Sequence, residues 1–282
     1  MRVADHVAIM KNASLVAGFL WLSAWFAHCA MQINTQVVVE ALKGKQAVFV
    51  VTDTLTGETY VSDPALARES FGPCSTFKIW NTLIGLELGI LKNPDDPFWK
   101  WDGEKRSFPD WNRDLSLREA FQASCVPAFH DLAREIGSKR MQEWLDKLGY
   151  GNKDMCDRPD SFWLPRAGQP NILITPEEQA ALLNKLVTGK LPVKKETVDT
   201  LLDVMRIESS ARSTLFGKTG SGLRASVEGP AADNDFDMGW LVGILDCGGH
   251  KYSYACLVLG RGLGGKDARA AVQKIFRDSG ML

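Results

Sequence analysis

The order of strand-like and helix-like segments constrains the fold of this chain most strongly. Strand-like segments, rich in β-branched residues and bounded by turn residues, lie at 46–53, 58–63, 212–220, 237–246 and 252–260. Between the second and third of these segments apolar residues recur with helical spacing, and another helical segment covers 266–280. Because strands and helices occur in blocks, the order predicts an α+β fold: an antiparallel β-sheet flanked by helices, with an inserted all-helical lobe.

The helices of the middle segment are predicted from their apolar spacing at 76–91, 115–124, 127–137, 139–149, 175–187 and 196–207. One of them has a clear start signal. Thr175 is predicted as its N-cap, Pro176 occupies its first turn, and Glu178 completes a capping box. Glycines at 248 and 249 predict a turn between the last two strands.

The first 30 residues have the pattern of an export signal. Arg2 and Lys11 precede an apolar segment at 13–30, and no other Asp, Glu, Lys or Arg follows until Glu40. A basic start followed by an apolar segment is typical of a secretory signal peptide, although this segment nearly reaches the length of an uncleaved membrane anchor. We therefore predict a signal peptide at 1–30 and leave its cleavage site open.

The remaining chain, residues 31–282, is long enough for one domain with a large core. We expect its α/β lobe at 31–74 and 190–282, and its helical lobe at 75–189. The formal net charge is −1, and no block of Lys or Arg occurs. This composition argues against a nucleic-acid partner.

Metal and disulfide signatures are weak. The six cysteines are widely spaced without a C-x-x-C motif, so most are expected to be buried free thiols, and their pairing is left open. The four histidines are scattered, and no metal-binding motif contains them. No metal site is predicted, and His130 is expected to serve packing or to lie at the surface.

Two glycine-rich segments resemble nucleotide-binding motifs only in part. Gly217-Lys218-Thr219 matches the end of a P-loop, but Arg212 stands where the first glycine is required, and the triplet lies in a predicted strand. Glycines at 260, 262 and 265 spell G-x-G-x-x-G without the βαβ unit of a dinucleotide site. We expect a turn at the second segment and no nucleotide site at either.

Ser75 and Lys78 form the pair with the most chemical content. Their spacing of three places both side chains on one face of a helix. A serine hydroxyl needs a base to become a nucleophile, and a lysine amine can be that base only when it is neutral. Apolar neighbours such as Phe77 and Trp80 favour a buried, neutral amine. The alternative is structural: Ser75 caps the helix, and Lys78 extends to solvent.

A second motif makes the catalytic interpretation specific. Lys218-Thr219-Gly220 follows Lys78 by about 140 residues. S-x-x-K with a downstream K-T-G resembles the active-site serine penicillin-binding proteins and β-lactamases. Five further segments resemble motifs of class D β-lactamases, the oxacillinases. They are 101–117 (W-D-G…W-N-x-D), 124–126 (S-x-V), 150–152 (Y-G-N), 160–164 (F-W-L) and 239–243 (G-W-x-V-G).

The resemblance implies a role for each catalytic residue. Ser75 would be acylated, and Lys78 would be N-carboxylated by CO2 and act as general base. Ser124 would relay a proton to the leaving nitrogen, helped by the charge of Lys218. The backbone N–H groups of Ser75 and Ser221 would form the oxyanion hole.

The resemblance also implies the walls of the site. Val126, Trp163 and Leu164 would line the carbamate pocket, with the Trp163 indole N–H donating to the carbamate. Substrate would contact Trp111, Thr219, Gly220, Ser221 and Arg269. Among these, Thr219 and Arg269 would hold the β-lactam carboxylate, since guanidinium groups match carboxylates geometrically.

The expected function is therefore an exported, periplasmic serine β-lactamase that confers antibiotic resistance, with CO2 or bicarbonate as its only cofactor. Its partner is a small β-lactam, and it is a monomer or homodimer without a membrane span after export. One alternative is a β-lactam sensor that is acylated but does not hydrolyse, and another is a peptidoglycan transpeptidase or carboxypeptidase. Trp80 and the segment 153–160 depart from the family pattern, which leaves substrate preference open.

Overall fold

The computed structural model describes residues 33–166, 169–224 and 236–282. The predicted signal peptide at 1–30 lies outside these residues. The helices are α1 Thr35–Leu42, α2 Lys78–Glu87, α3 Leu117–Gln122, α4 Val126–Ile136, α5 Ser138–Leu148, α6 Pro176–Val187, α7 Lys195–Met205 and α8 Gly265–Asp278. In this part of the chain no helix is both long and apolar enough to cross a membrane.

The strands are β1 Gln46–Asp53, β2 Thr59–Val61, β3 Pro97–Trp99, β4 Leu115–Ser116, β5 Arg206–Ser209, β6 Ser213–Gly222, β7 Met238–Cys247 and β8 His250–Leu259. Six of them form an antiparallel sheet in the order β2-β1-β8-β7-β6-β5, while β3 and β4 pair separately. β7 and β8 meet at Gly248 and Gly249, whose φ angles of +63° and +87° need glycine. The predicted α+β fold with its antiparallel sheet is confirmed.

Helices cover both faces of this sheet. Phe49 of β1 contacts Phe276 of α8 edge-on, with ring centroids 5.7 Å apart. Its neighbours Val48 and Val50 belong to the core cluster that also contains Leu182 of α6. Successive residues of a strand point to opposite faces, so α6 and α8 lie on opposite sides of the sheet.

α2 lies at the centre of the helical elements. Its residues 78–85 are all buried, and it packs against α4 and α7. A helix that is buried on every side needs no polar face, and five of its eight buried residues are apolar or glycine, with Lys78, Asn81 and Thr82 as the buried polar exceptions. It therefore holds its first residue, Lys78, in the interior of the protein.

α6 begins as predicted but packs outside the expected lobe. Thr175 Oγ1 accepts from the Glu178 N–H at 3.1 Å, and the Glu178 carboxylate accepts from the Thr175 N–H at 2.9 Å, which confirms the capping box. The helix falls within the segment 75–189 that we expected in the helical lobe, yet it packs against β1, β7 and β8. Its apolar side chains complete the core beneath the sheet, a contact that chain order does not reveal.

Several local features differ from the sequence prediction. The helix α1 and the short strands β3, β4 and β5 were not predicted, and the helix expected to reach residue 207 ends at Met205, where β5 begins. The helix expected from residue 76 starts at Lys78, after a 3₁₀ turn at Cys74–Phe77. Ser75 thus lies in a tight turn before the helix.

Candidate active site

Ser75 is presented by a strained turn at the start of α2. The preceding residue, Cys74, has a φ of +53°, in the left-handed region that non-glycine residues rarely adopt. Such strain persists only where the surroundings fix it, and it is common at functional sites. Ser75 is partly exposed and lines a cleft of about 340 Å³. The turn therefore places the Ser75 hydroxyl at the wall of this open cleft.

Lys78 lies directly behind that hydroxyl. Its Nζ atom is 2.8 Å from Ser75 Oγ, 3.0 Å from Ser124 O and 3.1 Å from Ser124 Oγ, and the side chain is fully buried. Burial, and secondly the positive charge of Lys218, hold the pKa of Lys78 well below its usual value of 10.5. The predicted serine–lysine pair is thus in hydrogen-bond contact, and the amine is poised to be neutral.

Ser124 is the third residue of this hydrogen-bonded group. It lies in the turn between α3 and α4 and has a φ of +53°, the same strained region as Cys74. Trp111 Nε1 donates to the carbonyl of Ala123 at 2.9 Å and so fixes this turn. Ser124 and Trp111 both line the cleft, as the resemblance implied.

Lys218 lies on β6 and is 3% exposed. Burial lowers its pKa to about 7, and its Nζ atom donates to the Thr219 carbonyl at 3.0 Å. Lys218 and Arg269 line a second cavity of about 280 Å³, which shares Thr219 with the cleft. Of the two residues expected to hold the substrate carboxylate, Thr219 lines both the cleft and this cavity, whereas Arg269 lines the cavity.

The residues predicted around Lys78 lie along one wall of the cleft and behind it. Val126 and Leu164 line the cleft. Trp163 is fully buried and stacks on Phe77, with ring centroids 5.6 Å apart and an interplanar angle of 19°. Within the described residues its buried indole Nε1 has no hydrogen-bond partner. A buried donor without an acceptor is costly, so this N–H can bind a further acceptor at little cost.

Ser221 and Gly220 lie on the strand edge opposite Ser75. β5 pairs only with residues 214–216 of β6, so the edge at 217–222 has no strand partner among the described residues. Ser221 lines the cleft, and its Oγ accepts from the Gly265 N–H at 2.8 Å, which ties β6 to α8. This unpaired edge offers backbone groups to an extended ligand.

Comparison with known proteins decides the family. A model of the penicillin binding protein transpeptidase domain matches residues 36–279. The probable β-lactamase YbxI of Bacillus subtilis (strain 168) is 32% identical over 96% of each chain, and the β-lactamase OXA-19 of Pseudomonas aeruginosa is 35% identical over 88% of this chain and 85% of its own. A solved class D β-lactamase from Bacillus subtilis has a TM-score of 0.78 at 33% identity, covering 87% of this chain and 96% of its own. This chain belongs to the class D β-lactamases. The resemblance inferred from the motifs is confirmed, and class D β-lactamases are hydrolases.

A regulatory relative is also similar, over a smaller part of its length. The regulatory protein BlaR1 of Bacillus licheniformis is 30% identical over 67% of this chain, but the match covers only 29% of that protein. Class D β-lactamases match this chain over most of both lengths, so the enzyme family describes the chain better than the regulatory protein does.

The cleft of this class D chain also includes residues that were not among the predicted site residues. Phe108, Leu223 and Phe236 line the cleft, and Phe108 stacks on Trp111 with ring centroids 4.5 Å apart. Phe108 is 39% exposed and lines the cleft, so the apolar lining of the cleft continues to the protein surface. Loop residues such as these have no periodic pattern, so only the folded arrangement identifies them.

Gly220 has a structural environment that the motif did not predict. A Cβ atom at this position would lie 3.0 Å from the Pro73 carbonyl oxygen, 3.1 Å from Cys74 Cβ and 3.2 Å from Thr76 Cγ2. At Gly222 it would lie 2.6 Å from Cys74 Sγ. Both glycines thus allow the turn that carries Ser75 to pack directly on β6.

The cysteines and histidines of the described residues show no metal site. No group of three or more His, Cys, Asp or Glu side chains that could hold a metal ion occurs there. Cys74, Cys125 and Cys256 are buried free thiols, as expected. Burial lowers the pKa of His130 to about 4, and its ring packs edge-on against Trp163 at 5.8 Å. His130 therefore serves packing.

Proposed function

We propose that this protein is an exported serine β-lactamase that forms an acyl-enzyme on Ser75, uses N-carboxylated Lys78 as general base, and confers β-lactam resistance. The observation that carries the proposal is the buried contact of 2.8 Å between Lys78 Nζ and Ser75 Oγ. A neutral amine at this distance can receive the serine proton, and burial favours the neutral form.

The residues around Lys78 fit a carbamate. Only a neutral amine reacts with CO2, and burial together with the charge of Lys218 favours that form. The unpartnered Trp163 Nε1 is a donor without an acceptor among the described residues, as a site for a carbamate oxygen requires. When present, the carbamate would supply an anionic oxygen as the proton acceptor in place of the amine nitrogen. Val126 and Leu164 give the cleft an apolar lining, and Lys78 itself is fully buried.

The cleft then accounts for the acylation step. Ser75 Oγ attacks the β-lactam carbonyl carbon as its proton passes to the base at Lys78. The N–H groups of Ser75 and Ser221 stabilise the negative oxygen that develops. Ser124 Oγ is 3.1 Å from Lys78 Nζ and lines the cleft, so it can pass a proton to the β-lactam nitrogen as the C–N bond breaks. Water then hydrolyses the ester and releases Ser75.

Substrate binding is proposed for the residues along β6 and at the cleft mouth. Thr219 joins the cleft to the cavity that contains Lys218 and Arg269, and these cations attract the β-lactam carboxylate to that end. Gly220 and Ser221 present the strand edge, and Trp111 with Phe108 forms an apolar rim.

Turnover distinguishes this proposal from a β-lactam sensor. We expect the purified protein to hydrolyse many equivalents of a chromogenic β-lactam, and Lys78→Ala to remove that activity. A single stoichiometric burst followed by a stable acyl-enzyme would instead identify a sensor. Release of D-alanine from a peptidoglycan peptide, without β-lactam turnover, would identify a carboxypeptidase.

The carbamate has its own test. Added bicarbonate should raise activity at low pH, where the carbamate is lost, and ¹³C-labelled bicarbonate should give a carbamate NMR signal that Lys78→Ala lacks. Activity that is insensitive to bicarbonate at every pH, with no such signal, would reject the carbamate while leaving serine catalysis intact. Assays with penicillin, oxacillin, cephalosporin and carbapenem substrates would define the substrate range.

A further inference from the structure

The turn that carries Ser75 is held from behind by a chain of buried hydrogen bonds. Gln179 of α6 donates from Nε2 to Thr76 Oγ1 at 2.9 Å. Thr76 Oγ1 donates in turn to the Pro73 carbonyl at 2.7 Å. Gln179 and Thr76 are both fully buried. The chain thus connects a helix that is distant in sequence to the two residues that flank the Cys74–Ser75 peptide.

We propose that Gln179 and Thr76 are positioning residues for Ser75. They hold the strained turn so that Ser75 Oγ stays in contact with Lys78 Nζ while its backbone N–H faces the cleft. This inference rests on the proposed role of Ser75 as the nucleophile. Neither Gln179 nor Thr76 is among the residues that line the cleft, so their effect on the reaction passes through the turn.

The backbone of the turn explains why it needs such support. Cys74 has a φ of +53°, a conformation disfavoured for a residue with a side chain. The 3₁₀ turn at Cys74–Phe77 also has no side-chain cap at its start. Thr76 supplies the missing restraint, because its hydroxyl and its N–H both donate to the Pro73 carbonyl, at 2.7 Å and 3.2 Å.

Gln179 fixes the turn relative to the rest of the molecule. α6 packs on the sheet at β1, β7 and β8, so the Gln179 amide is anchored to the central sheet of the fold. From the opposite side, Gly220 of β6 lets the backbone at Pro73 and Cys74 approach closely. The turn is therefore held between α6 and β6. An error of about 1 Å in the place of a reacting group can slow a reaction about 100-fold, so this fixation matters for the chemistry.

Side-chain shape and hydrogen bonding can be separated at Thr76. Thr76→Val keeps the size of the side chain but removes the hydroxyl, whereas Thr76→Ser keeps the hydroxyl and removes the methyl group. Gln179→Met keeps most of the volume and removes the donor. The acylation rate constant is measured by intact-mass spectrometry with a poor β-lactam substrate and normalised to the folded fraction, obtained by circular dichroism.

We expect Thr76→Val and Gln179→Met each to slow acylation about 10-fold per folded molecule, the effect of losing about one buried hydrogen bond from the positioned state. Thr76→Ser should retain most of the rate. The double variant Thr76→Val/Gln179→Met should be no slower than Thr76→Val, because both changes remove the same chain. The bicarbonate dependence should stay as in the wild type, since Lys78 is unchanged.

Three results would overturn the inference. Acylation that falls only in proportion to the folded fraction would show a purely structural role. Equal rates for Thr76→Val and Thr76→Ser would show that the hydroxyl does not matter, and additive losses in the double variant would show that the two residues act independently. Absence of acylation in the wild-type protein would instead reject the proposed function, so the two failures are distinguishable.

Discussion

The cleft and the neighbouring cavity meet at Thr219, and each has a buried lysine beside it. In the cleft, Lys78 Nζ has three oxygen atoms within 3.1 Å, all from Ser75 and Ser124. Beside the cavity, Lys218 Nζ has its closest partner in the Thr219 carbonyl, at 3.0 Å. The same physical cause, burial, lowers both pKa values, and the charge of Lys218 lowers that of Lys78 further. Two lysines that are both buried can thus have different chemical roles, because different oxygen atoms surround their Nζ atoms.

The difference suggests a division of roles. Lys78 touches the proposed nucleophile and is suited to proton transfer. Lys218, with a pKa of about 7, is half charged near neutral pH; its charge lowers the pKa of Lys78, and we expect it to act at a distance on an anionic substrate. Replacing each lysine separately tests whether the two regions differ in this way.

Lys78→Ala should have the largest effect. Removing the base should lower kcat/KM for a chromogenic β-lactam about 1000-fold, within the range of general-base contributions. Lys92→Ala, a change at an exposed lysine beyond the end of α2, serves as the matched control and should keep full activity. A Lys78→Ala protein that retains a tenth of wild-type kcat/KM would contradict the proposed role of Lys78.

Lys218→Met should come next, with an effect that depends on pH. Removing the cation should lower kcat/KM for an anionic β-lactam about 30-fold at pH 6, where Lys218 is charged. In the wild type the contribution of the Lys218 charge to kcat/KM should decline as the pH rises through about 7, because Lys218 loses its proton there. The Lys218→Met profile should lack that decline, and an unchanged pH profile would show that Lys218 does not act on the substrate through its charge.

Gly222→Ala tests the packing between β6 and the turn of Ser75. The added Cβ would lie 2.6 Å from Cys74 Sγ, so the turn must shift, and we expect kcat to fall about 10-fold. Cys74→Ala removes the sulfur atom, and the double variant Gly222→Ala/Cys74→Ala should recover most of the activity. Failure of this rescue, with both proteins folded, would show that Gly222 contacts the substrate instead.

The smallest expected effect concerns stability. The Lys218 pKa is lowered in the folded state, so below its unfolded value of 10.5 the unfolded chain binds the proton more tightly and folding is disfavoured. This cost is absent above pH 10.5, grows as the pH falls towards 7, and is complete below 7. Lys218→Met removes it and should raise Tm by about 5 °C at pH 7.

The gain from Lys218→Met should shrink as the pH approaches 10.5. A Tm difference that is the same at pH 7 and pH 10 would mean that packing, and not the buried charge, sets the stability at this position. Arg212→Met, at an exposed site just before β6, provides a control for the loss of one positive charge from the surface.

The sequence predicted the elements that carry repeated local signals. Examples are the strands with β-branched residues, the capping box at Thr175 and the glycine turn at 248–249, all of which are present in the structure. Each depends on neighbours within a few residues of the chain. The sequence missed α1 and the short strands β3, β4 and β5, and it placed Ser75 at the start of a helix rather than in a 3₁₀ turn. β5 is a short edge strand whose pairing with β6 has no local signature.

By itself, the sequence determined the fold class and the residue types of the proposed catalytic pair, because element order, periodicity and motif spacing are properties of the linear chain. Only the tertiary structure decided which groups meet. It brings Ser124 within 3.1 Å of Lys78, places Lys218 and Arg269 in a cavity beside the cleft, and sets Gln179 behind Thr76, 103 residues away along the chain. Hydrogen bonds and burial act through space, so neither these contacts nor the lowered pKa values of the two lysines follow from chain order.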